Sequence, residues 1–213
     1  MAVATPQTHE SSMPLQPPPL LLPRHWRLSP EQFEQVCQAN PDAVLELSAD
    51  GELIVMTLAG TETSSRNQAL GALLWLAVRN TGLALKVFDS SGGFRLPDGS
   101  VFSPDAAVVQ LDRWTALSAE QRRAFAPLCP DLVVELASAS DDSPRGLTAL
   151  RQKMEQYRAN GAQLGWLLLP AEQAVEIWTA AGGPPQRIAP AAHLDAAPLF
   201  PGLQIPLAEI WHG

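Results

Sequence analysis

The amino-acid sequence predicts an α/β fold, and two patterns carry that prediction. Apolar runs of strand length and amphipathic stretches of helix length follow one another between residues 28 and 211. Residues 132–169 have the order strand, helix, strand, which usually forms a right-handed crossover between parallel strands. A chain of 213 residues also suits one domain with a sizeable core. We therefore expect a single domain over residues 26–213.

The first half of the chain predicts a helix, a hairpin and a longer helix. Ser29 and Pro30 open the stretch SPEQFEQVCQA with the usual start signals of a helix. Residues 43–57 contain the short strands AVLELS and ELIVMT, and the Asp-Gly pair between them is a strong hairpin signal. Residues 61–80 carry one apolar stripe at helical spacing, and Gly82 follows the predicted end of that helix.

The second half supplies the remaining strands. ALKVFD and DAAVVQL are predicted strands within residues 84–110, and SAEQRRAF is a predicted short helix in the connector 112–129. DLVVELA is a nearly continuous apolar strand, followed by a helix over about 147–159 and then by the strands LGWLLL and AVEIWT. After residue 180 the chain is Pro-rich and predicted to be irregular, with residues 207–211 docking on the core.

The first 25 residues differ in composition from the rest of the chain. Prolines 17–19 are consecutive, and the stretch has neither a basic start nor a long apolar run. Such a composition predicts a disordered tail over residues 1–25 rather than a signal peptide, and cytoplasmic location is the default expectation. No apolar run approaches the roughly 18 residues that a membrane span requires.

Charge and cysteine content narrow the classes of protein. A net charge of −8 weighs against a protein that coats nucleic acid through a broad basic surface, but it leaves room for a local basic patch. Cys37 and Cys129 are distant from each other and are expected to be free thiols. Because the four histidines are scattered away from both cysteines, a zinc site is not expected.

Glu135 is the first candidate site residue. It interrupts the apolar strand VVELA, and a glutamate in a buried strand is costly unless it is paired, protonated or bound to a metal. The alternative is an edge strand whose glutamate faces water.

Asp105 is the second candidate, at the opening of the strand in SPDAAVV. A Pro-Asp pair alone is a weak signal, since aspartate is common where strands and turns begin. What distinguishes Asp105 is that its strand could lie beside the strand of Glu135. Two carboxylates on adjacent strands repel each other unless a divalent cation lies between them, and magnesium suits such oxygen ligands.

Lys153 is the third candidate, on the helix after the Glu135 strand. The chain has only two lysines, Lys86 and Lys153, against twelve arginines. Lys153 borders the apolar stripe and could extend past it towards the end of the sheet, although an ordinary solvated helix lysine remains the alternative. Phosphodiester hydrolysis needs an acidified water and neutralised phosphate charge, which a carboxylate-held metal supplies, and a nearby cation stabilises the negative charge that develops.

These residues also carry a resemblance to a known family. The pieces FDSSGGFRLPDGS, SPDAAVV, CPDLVVELASASD and KMEQYRANGAQLGWLLLP occur in the order and spacing of the Uma-two family, within the PD-(D/E)-x-K nuclease superfamily. The chain resembles that family from residue 28 to residue 211. The resemblance implies a restriction-endonuclease-like core, in which helices flank a mixed sheet, and a DNA substrate.

The resemblance also implies a site. Asp105 and Glu135 would bind Mg²⁺, or Mn²⁺ in its place, and Lys153 would complete the catalytic set. In the plain superfamily motif the lysine lies two residues after the glutamate, where this chain has Ala137. Asp131 is the alternative first ligand, but four residues of strand separate it from Glu135 by about 13 Å, too far for both to hold one ion.

Several further residues are candidates for supporting roles. Gln152 and Tyr157 could support the site, although helix packing or solvation explains both as well. The helix after Glu135 is expected to be capped, and the turn before it shaped, by Ser138, Ser140 and Asp141. The arginines that could line a basic groove beside the site are Arg66, Arg95, Arg145 and Arg151.

These residues suggest three functions in two classes, two enzymes and one non-catalytic module. The leading hypothesis is a magnesium-dependent DNA endonuclease. The rival is a non-catalytic binding or regulatory module that keeps the nuclease fold, and a third candidate is a metal-dependent phosphoesterase for small substrates. A homodimer would suit cleavage of both DNA strands.

Overall fold

The computed structural model describes residues 26–56, 59–141 and 143–212, so the predicted tail over residues 1–25 lies outside the described residues. Within the described ranges, no helix is both long and apolar enough to cross a membrane.

Five α-helices and twelve strands are present in the described ranges. The helices are α1 (Pro30–Ala39), α2 (Thr61–Thr81), α3 (Leu111–Ala116), α4 (Pro144–Ala159) and α5 (Ala208–His212). The strands are β1 (Leu45–Leu47), β2 (Leu53–Val55), β3 (Leu85–Asp89), β4 (Phe94–Arg95), β5 (Val101–Phe102), β6 (Ala106–Gln110), β7 (Leu132–Leu136), β8 (Leu164–Leu169), β9 (Ala174–Thr179), β10 (Gln186–Ile188), β11 (His193–Asp195) and β12 (Gln204–Pro206).

A six-stranded sheet in the order β10-β9-β8-β7-β6-β3 forms the centre of the fold. Strands β7 and β8 are parallel and are connected through α4, which confirms the predicted crossover. The other neighbouring pairs are antiparallel, so the sheet is mixed, as expected. Because helices cover this sheet, the α/β prediction is confirmed.

Two smaller sheets complete the architecture. One has the order β2-β1-β5-β4, and the other pairs β11 with β12. The predicted hairpin is the antiparallel pair β1–β2, and its turn contains Gly51 at φ +81°, a conformation that side chains rarely adopt. This four-stranded sheet brings residues from the first half of the chain to the central sheet.

The two faces of the central sheet pack against different layers. Side chains alternate along β7, so Leu132, Val134 and Leu136 share a core with α2, α5 and β12. Val133 and Ala137 belong to a second core, with Met154 and Tyr157 of α4. Glu135 lies between them in the same alternation, which places it on the α4 face.

Helix α4 is positioned by its first residues and by a close approach to the sheet. Ser143 caps the helix by accepting a hydrogen bond from the Gly146 N–H, and Pro144 occupies the first turn. Gly165 of β8 has no side chain to hold the helix away, since a Cβ there would lie 2.5 Å from the Cε of Met154. The residues next to Met154 are therefore held close to the sheet.

Three local predictions were wrong. SAEQRRAF forms turns instead of a helix, and the short helix is α3, which precedes it. Ala126 forms a bridge with Phe94 just beyond that segment, so the chain leaves the helical path to reach the β4 edge. The region after residue 180 is not irregular: it contains β10, β11, β12 and α5. Helix α4 also begins three residues earlier than expected, with Ser143 as its cap.

Candidate active site

Asp105 and Glu135 face each other across two neighbouring strands. Strands β6 and β7 pair with Ala106 opposite Val134, which sets Asp105 opposite Glu135. The Leu136 N–H donates to Asp105 Oδ2 at 2.8 Å, and Asn67 Nδ2 donates to Asp105 Oδ1 at 3.1 Å. The adjacent strands expected from the sequence are thus present, and both oxygens of Asp105 are held by protein donors.

Lys153 extends from α4 to the same place. Its Nζ lies 2.9 Å from Glu135 Oε1 and 2.8 Å from Glu46 Oε1. The side chain is only 13% exposed, so it is not the solvated helix lysine of the alternative interpretation. Lys153 is therefore the shared cation of two buried glutamates.

Glu46 belongs to this cluster, although it is not among the site residues predicted from the sequence. It lies in the middle of β1 and is buried, with Oε1 accepting a hydrogen bond from the Ser103 N–H at 2.8 Å. The sequence carried a signal, because Glu46 interrupts Leu-Glu-Leu just as Glu135 interrupts an apolar strand. What the sequence did not reveal is that the four-stranded sheet packs beside α4.

Aromatic rings close the cluster on the α4 side. The buried Tyr157 hydroxyl donates to Glu135 Oε1 at 2.9 Å. Phe102 meets the Tyr157 ring edge-on at 5.6 Å, and Lys153 Nζ lies 5.5 Å from the Phe102 ring centre. These contacts cover part of the ammonium and favour its charged form through the ring faces. Tyr157, earlier a candidate for support, is in direct contact with the candidate residue Glu135.

Burial governs the protonation of the cluster. It raises the pKa of Glu135 to about 8; Lys153 opposes that rise, while Asp105 and Glu46 add to it. Burial likewise raises the pKa of Asp105. The pKa of Lys153 is raised above its ordinary value, because attraction from Glu135 and Glu46 outweighs the opposing effect of burial. Three carboxyl groups thus share one ammonium, an excess of negative charge that either protons or a further cation would relieve.

The chemistry of the oxygens suits a hard divalent cation. Asp105 and Glu135 offer carboxylate oxygens, and the buried Asn67 Oδ1 has no hydrogen-bond partner among the described residues. Magnesium and manganese take such oxygen ligands and commonly keep several waters. In the described ranges, however, no three His, Cys, Asp or Glu residues stand close enough together to hold a metal ion. Asp105 and Glu135 would therefore hold a cation only with waters or Asn67 completing its shell.

Most of the other residues that were candidates from the sequence have partners away from the carboxylate cluster. Asp131, the alternative ligand, is buried and pairs with Arg113 at 2.7 Å. Among the four arginines of the possible groove, three are ion-paired and Arg145 is exposed. Gln152, a candidate for supporting the site, is exposed as well. The three pairs are Arg66 with Glu62, Arg95 with Glu31 and Arg151 with Glu176. The Ser138 hydroxyl donates to Asp141 and shapes the turn after β7. Cys37 and Cys129 are free thiols, as expected.

Comparisons with known proteins agree with this architecture. The model of the family Uma2, described as "Putative restriction endonuclease", matches residues 30–208. Among solved structures, the fold is similar to a crystal structure described as "a putative nuclease belonging to DUF820" from Anabaena variabilis ATCC 29413. That structure has a TM-score of 0.69 and 18% sequence identity, over 87% of this chain and 98% of the other, which shows the shared fold. No curated protein matches the chain at a significant level.

Proposed function

The chain belongs to the Uma2 family, and from that premise we propose that it is a metal-dependent nuclease that hydrolyses phosphodiester bonds of DNA. In this proposal Asp105 and Glu135 hold Mg²⁺ or Mn²⁺, and Lys153 acts beside them. The observation that carries the proposal is the buried contact of Lys153 with Glu135, at 2.9 Å, directly across the strand pair from Asp105.

A buried excess of carboxylates is the physical reason to expect a cation. Desolvated carboxylates with one ammonium between them are costly unless they take up protons or bind a metal. When bound, a divalent cation would acidify a water molecule and neutralise phosphate charge. Asn67 and the Leu136 N–H fix the orientation of Asp105, and Tyr157 fixes that of Glu135, so neither carboxylate needs to reorganise.

Lys153 has the position of a charge-stabilising group. Its ammonium is held between Glu46 and Glu135 and stays protonated, since both partners raise its pKa. Close to a phosphate, that ammonium would stabilise the negative charge that develops during hydrolysis. The ammonium has three N–H donors. Two of them donate to Glu46 and Glu135, so one is left for the phosphate or the attacking water.

Nicking of supercoiled plasmid DNA by the full chain tests the proposal. We expect nicked product with Mg²⁺ or Mn²⁺ and none with a chelator. Glu135→Gln, which keeps the shape and removes the charge, should abolish nicking. Glu176→Gln is the matched control, because Glu176 is also a buried glutamate of the central sheet but is paired with Arg151.

Two observations favour the second candidate, a nuclease fold that binds without catalysis. Lys153 already neutralises part of the carboxylate charge, and the described residues contain no ready three-residue metal cluster. If the wild-type protein binds metal and remains folded but cuts neither plasmid nor single-stranded DNA, this second candidate replaces the first.

A further inference from the structure

A cavity of about 440 Å³ lies beside β4, away from the carboxylate cluster. Its walls include the aromatic residues Phe88, Phe94 and Trp114 and the neighbouring arginines Arg122 and Arg123. We propose that this cavity binds a single-stranded segment of nucleic acid, with a base stacked on the aromatic rings and phosphates on the two arginines. This inference rests on the proposed nuclease function and names how its substrate is held.

Arg122 and Arg123 are arginines of this acidic chain whose charge no described carboxylate neutralises. Seven described arginines form ion pairs with carboxylates. Among the described residues, the side chains of Arg122 and Arg123 have no such partner, and both are exposed at the cavity. The lining includes one carboxylate, Glu34, so the charged groups of the cavity leave a net positive charge. In a chain of net charge −8, that local positive excess favours an anionic ligand, and the phosphates of a nucleic acid meet that requirement.

The aromatic residues form a cluster at the cavity, in which Phe94 is buried behind Phe88 and Trp114. Phe88 meets Trp114 at 4.9 Å and Phe94 at 5.2 Å, both edge-on. Lys86 Nζ lies 5.6 Å from the Trp114 ring and 5.9 Å from the Phe88 ring, adding a further cation near the same surface. Phe88 and Trp114 are half-buried, so part of each ring remains accessible. Aromatic rings beside cations are the usual means of binding unstacked bases.

The size and recess of the cavity select single strands. A volume of about 440 Å³ lies within the range of small-molecule sites, so it can admit a nucleotide. Bases of a duplex are stacked on each other and cannot enter a recessed cavity without being unpaired. A segment whose bases are already free meets no such cost, so we expect single strands to bind more tightly than duplexes.

Side-chain packing links one wall of the cavity to the residues around the candidate active site. Phe94 at the cavity pairs with Phe102 across β4 and β5. Phe102 in turn lies against Lys153 and Tyr157. One strand pair therefore lies between the proposed base-binding rings and the residues that contact Glu135.

Fluorescence anisotropy with a labelled single-stranded oligothymidylate of about 12 nucleotides tests the proposal on the full chain, in a chelating buffer that prevents cleavage. We expect Arg122→Ala/Arg123→Ala to weaken binding about tenfold or more, and to make the salt dependence shallower by about 0.7 for each lost phosphate contact. Trp114→Ala should weaken binding about tenfold without changing the salt slope. Arg79→Ala/Arg187→Ala removes the same charge elsewhere and should bind as the wild type does.

The outcomes separate this inference from the nuclease proposal. If the Arg122/Arg123 double variant binds as tightly as its charge-matched control, the cavity is not the binding site, even where metal-dependent cutting is observed. A duplex that binds as tightly as the single strand would also overturn the proposal. If the oligonucleotide binds as expected but no substrate is cut with metal, the cavity stands and the nuclease proposal fails. Should Trp114→Ala not fold, the arginine variants still decide the result.

Discussion

Asp105 is tied to the strand of Glu135 by a backbone hydrogen bond: the N–H of Leu136 donates to Asp105 Oδ2 at 2.8 Å. The donor is the residue directly after Glu135, so the position of one carboxylate depends on the backbone that carries the other. Asp105 is also held by Asn67, and Glu135 by Tyr157 and Lys153. Protein donors therefore fix the orientation of both carboxylates before any ligand binds.

Divalent metal should stabilise the folded protein through the two carboxylates. We expect Mg²⁺ or Mn²⁺ to raise the melting temperature, with a gain of about 2.7 kcal/mol at 100 times the dissociation constant. Asp105→Asn and Glu135→Gln should each remove most of that gain, because each keeps the side-chain shape but loses a charged ligand. Differential scanning calorimetry with and without metal measures the effect. Glu176→Gln should retain the full gain, and an equal gain in all four proteins would exclude this metal site.

Stability of the metal-free protein should fall as the pH rises from about 4.5 to 8. The pKa of Glu135 is raised from 4.5 in the unfolded chain to about 8 in the folded protein. The folded state therefore holds more protons in that window, and the stabilisation from this group is complete below the lower value and lost above the higher one. Burial raises the pKa of Asp105 too, which acts in the same direction. Urea unfolding in a chelating buffer measures the free energy of unfolding at each pH. That free energy should change less with pH in Glu135→Gln than in the wild type, and an equal change in both would contradict the raised pKa of Glu135.

The sequence predicted the central sheet and, at the site, the adjacent strands of Asp105 and Glu135 and the approach of Lys153 from the next helix. It did not predict that Glu46 belongs to the cluster. Glu135 stood out because a charge inside an apolar strand requires a partner, and alternation along β7 then placed it on the α4 face. The same reasoning applied to Glu46 would have identified it as buried. Its partner Lys153 is 107 residues away, and only the packing of the four-stranded sheet brings them together. The spacing of apolar residues within one segment does not depend on contacts with a distant segment, so it cannot predict them.

Lys153 should matter for both catalysis and stability. Removing it in Lys153→Ala leaves two buried glutamates without their cation, so we expect a loss of up to about 3–5 kcal/mol, larger at pH 8 than at pH 5. Nicking should fall by about two to three orders of magnitude, the scale for one preorganised charge-stabilising group. Lys153→Arg should restore little activity, because a planar guanidinium differs from a compact ammonium.

Arg151→Ala is the control for Lys153→Ala. Arg151 lies on α4 as Lys153 does, and removing it also leaves a buried glutamate, Glu176 of β9, without its ion-pair partner. We expect that variant to be destabilised but to nick DNA at the wild-type rate under conditions where it stays folded. Chemical denaturation and plasmid nicking, measured on both variants, separate the two effects. Nicking by Lys153→Ala at the wild-type rate would remove the lysine from the catalytic set.

Glu46 should tune the proton equilibrium of Glu135. Burial is the main cause of the raised pKa of Glu135, and repulsion from Asp105 and Glu46 adds to it. Glu46→Gln keeps an oxygen that can accept from the Ser103 N–H but removes one of the repelling charges. The pKa of Glu135 should then fall, so metal binding should persist to lower pH than in the wild type. Calorimetric titration with Mn²⁺ across pH 5 to 8.5 measures this midpoint, and a shift to higher pH would refute the role of Glu46.

Asn67 should act as a positioning residue for Asp105. Its Nδ2 donates to Asp105 Oδ1 at 3.1 Å, while its own buried Oδ1 has no hydrogen-bond partner among the described residues. Replacing it in Asn67→Ala leaves Asp105 held by the Leu136 N–H alone, and loss of such an orienting partner typically costs 10- to 100-fold in metal affinity. Titration with Mn²⁺ followed by calorimetry measures that loss independently of cleavage. Asn160→Ala is the matched control, because Asn160 likewise donates to an aspartate, Asp98, at 2.8 Å but on the surface away from the cluster. We expect the control to bind metal as the wild type does; equal affinities for Asn67→Ala and the wild type would mean that Asp105 needs no help from α2.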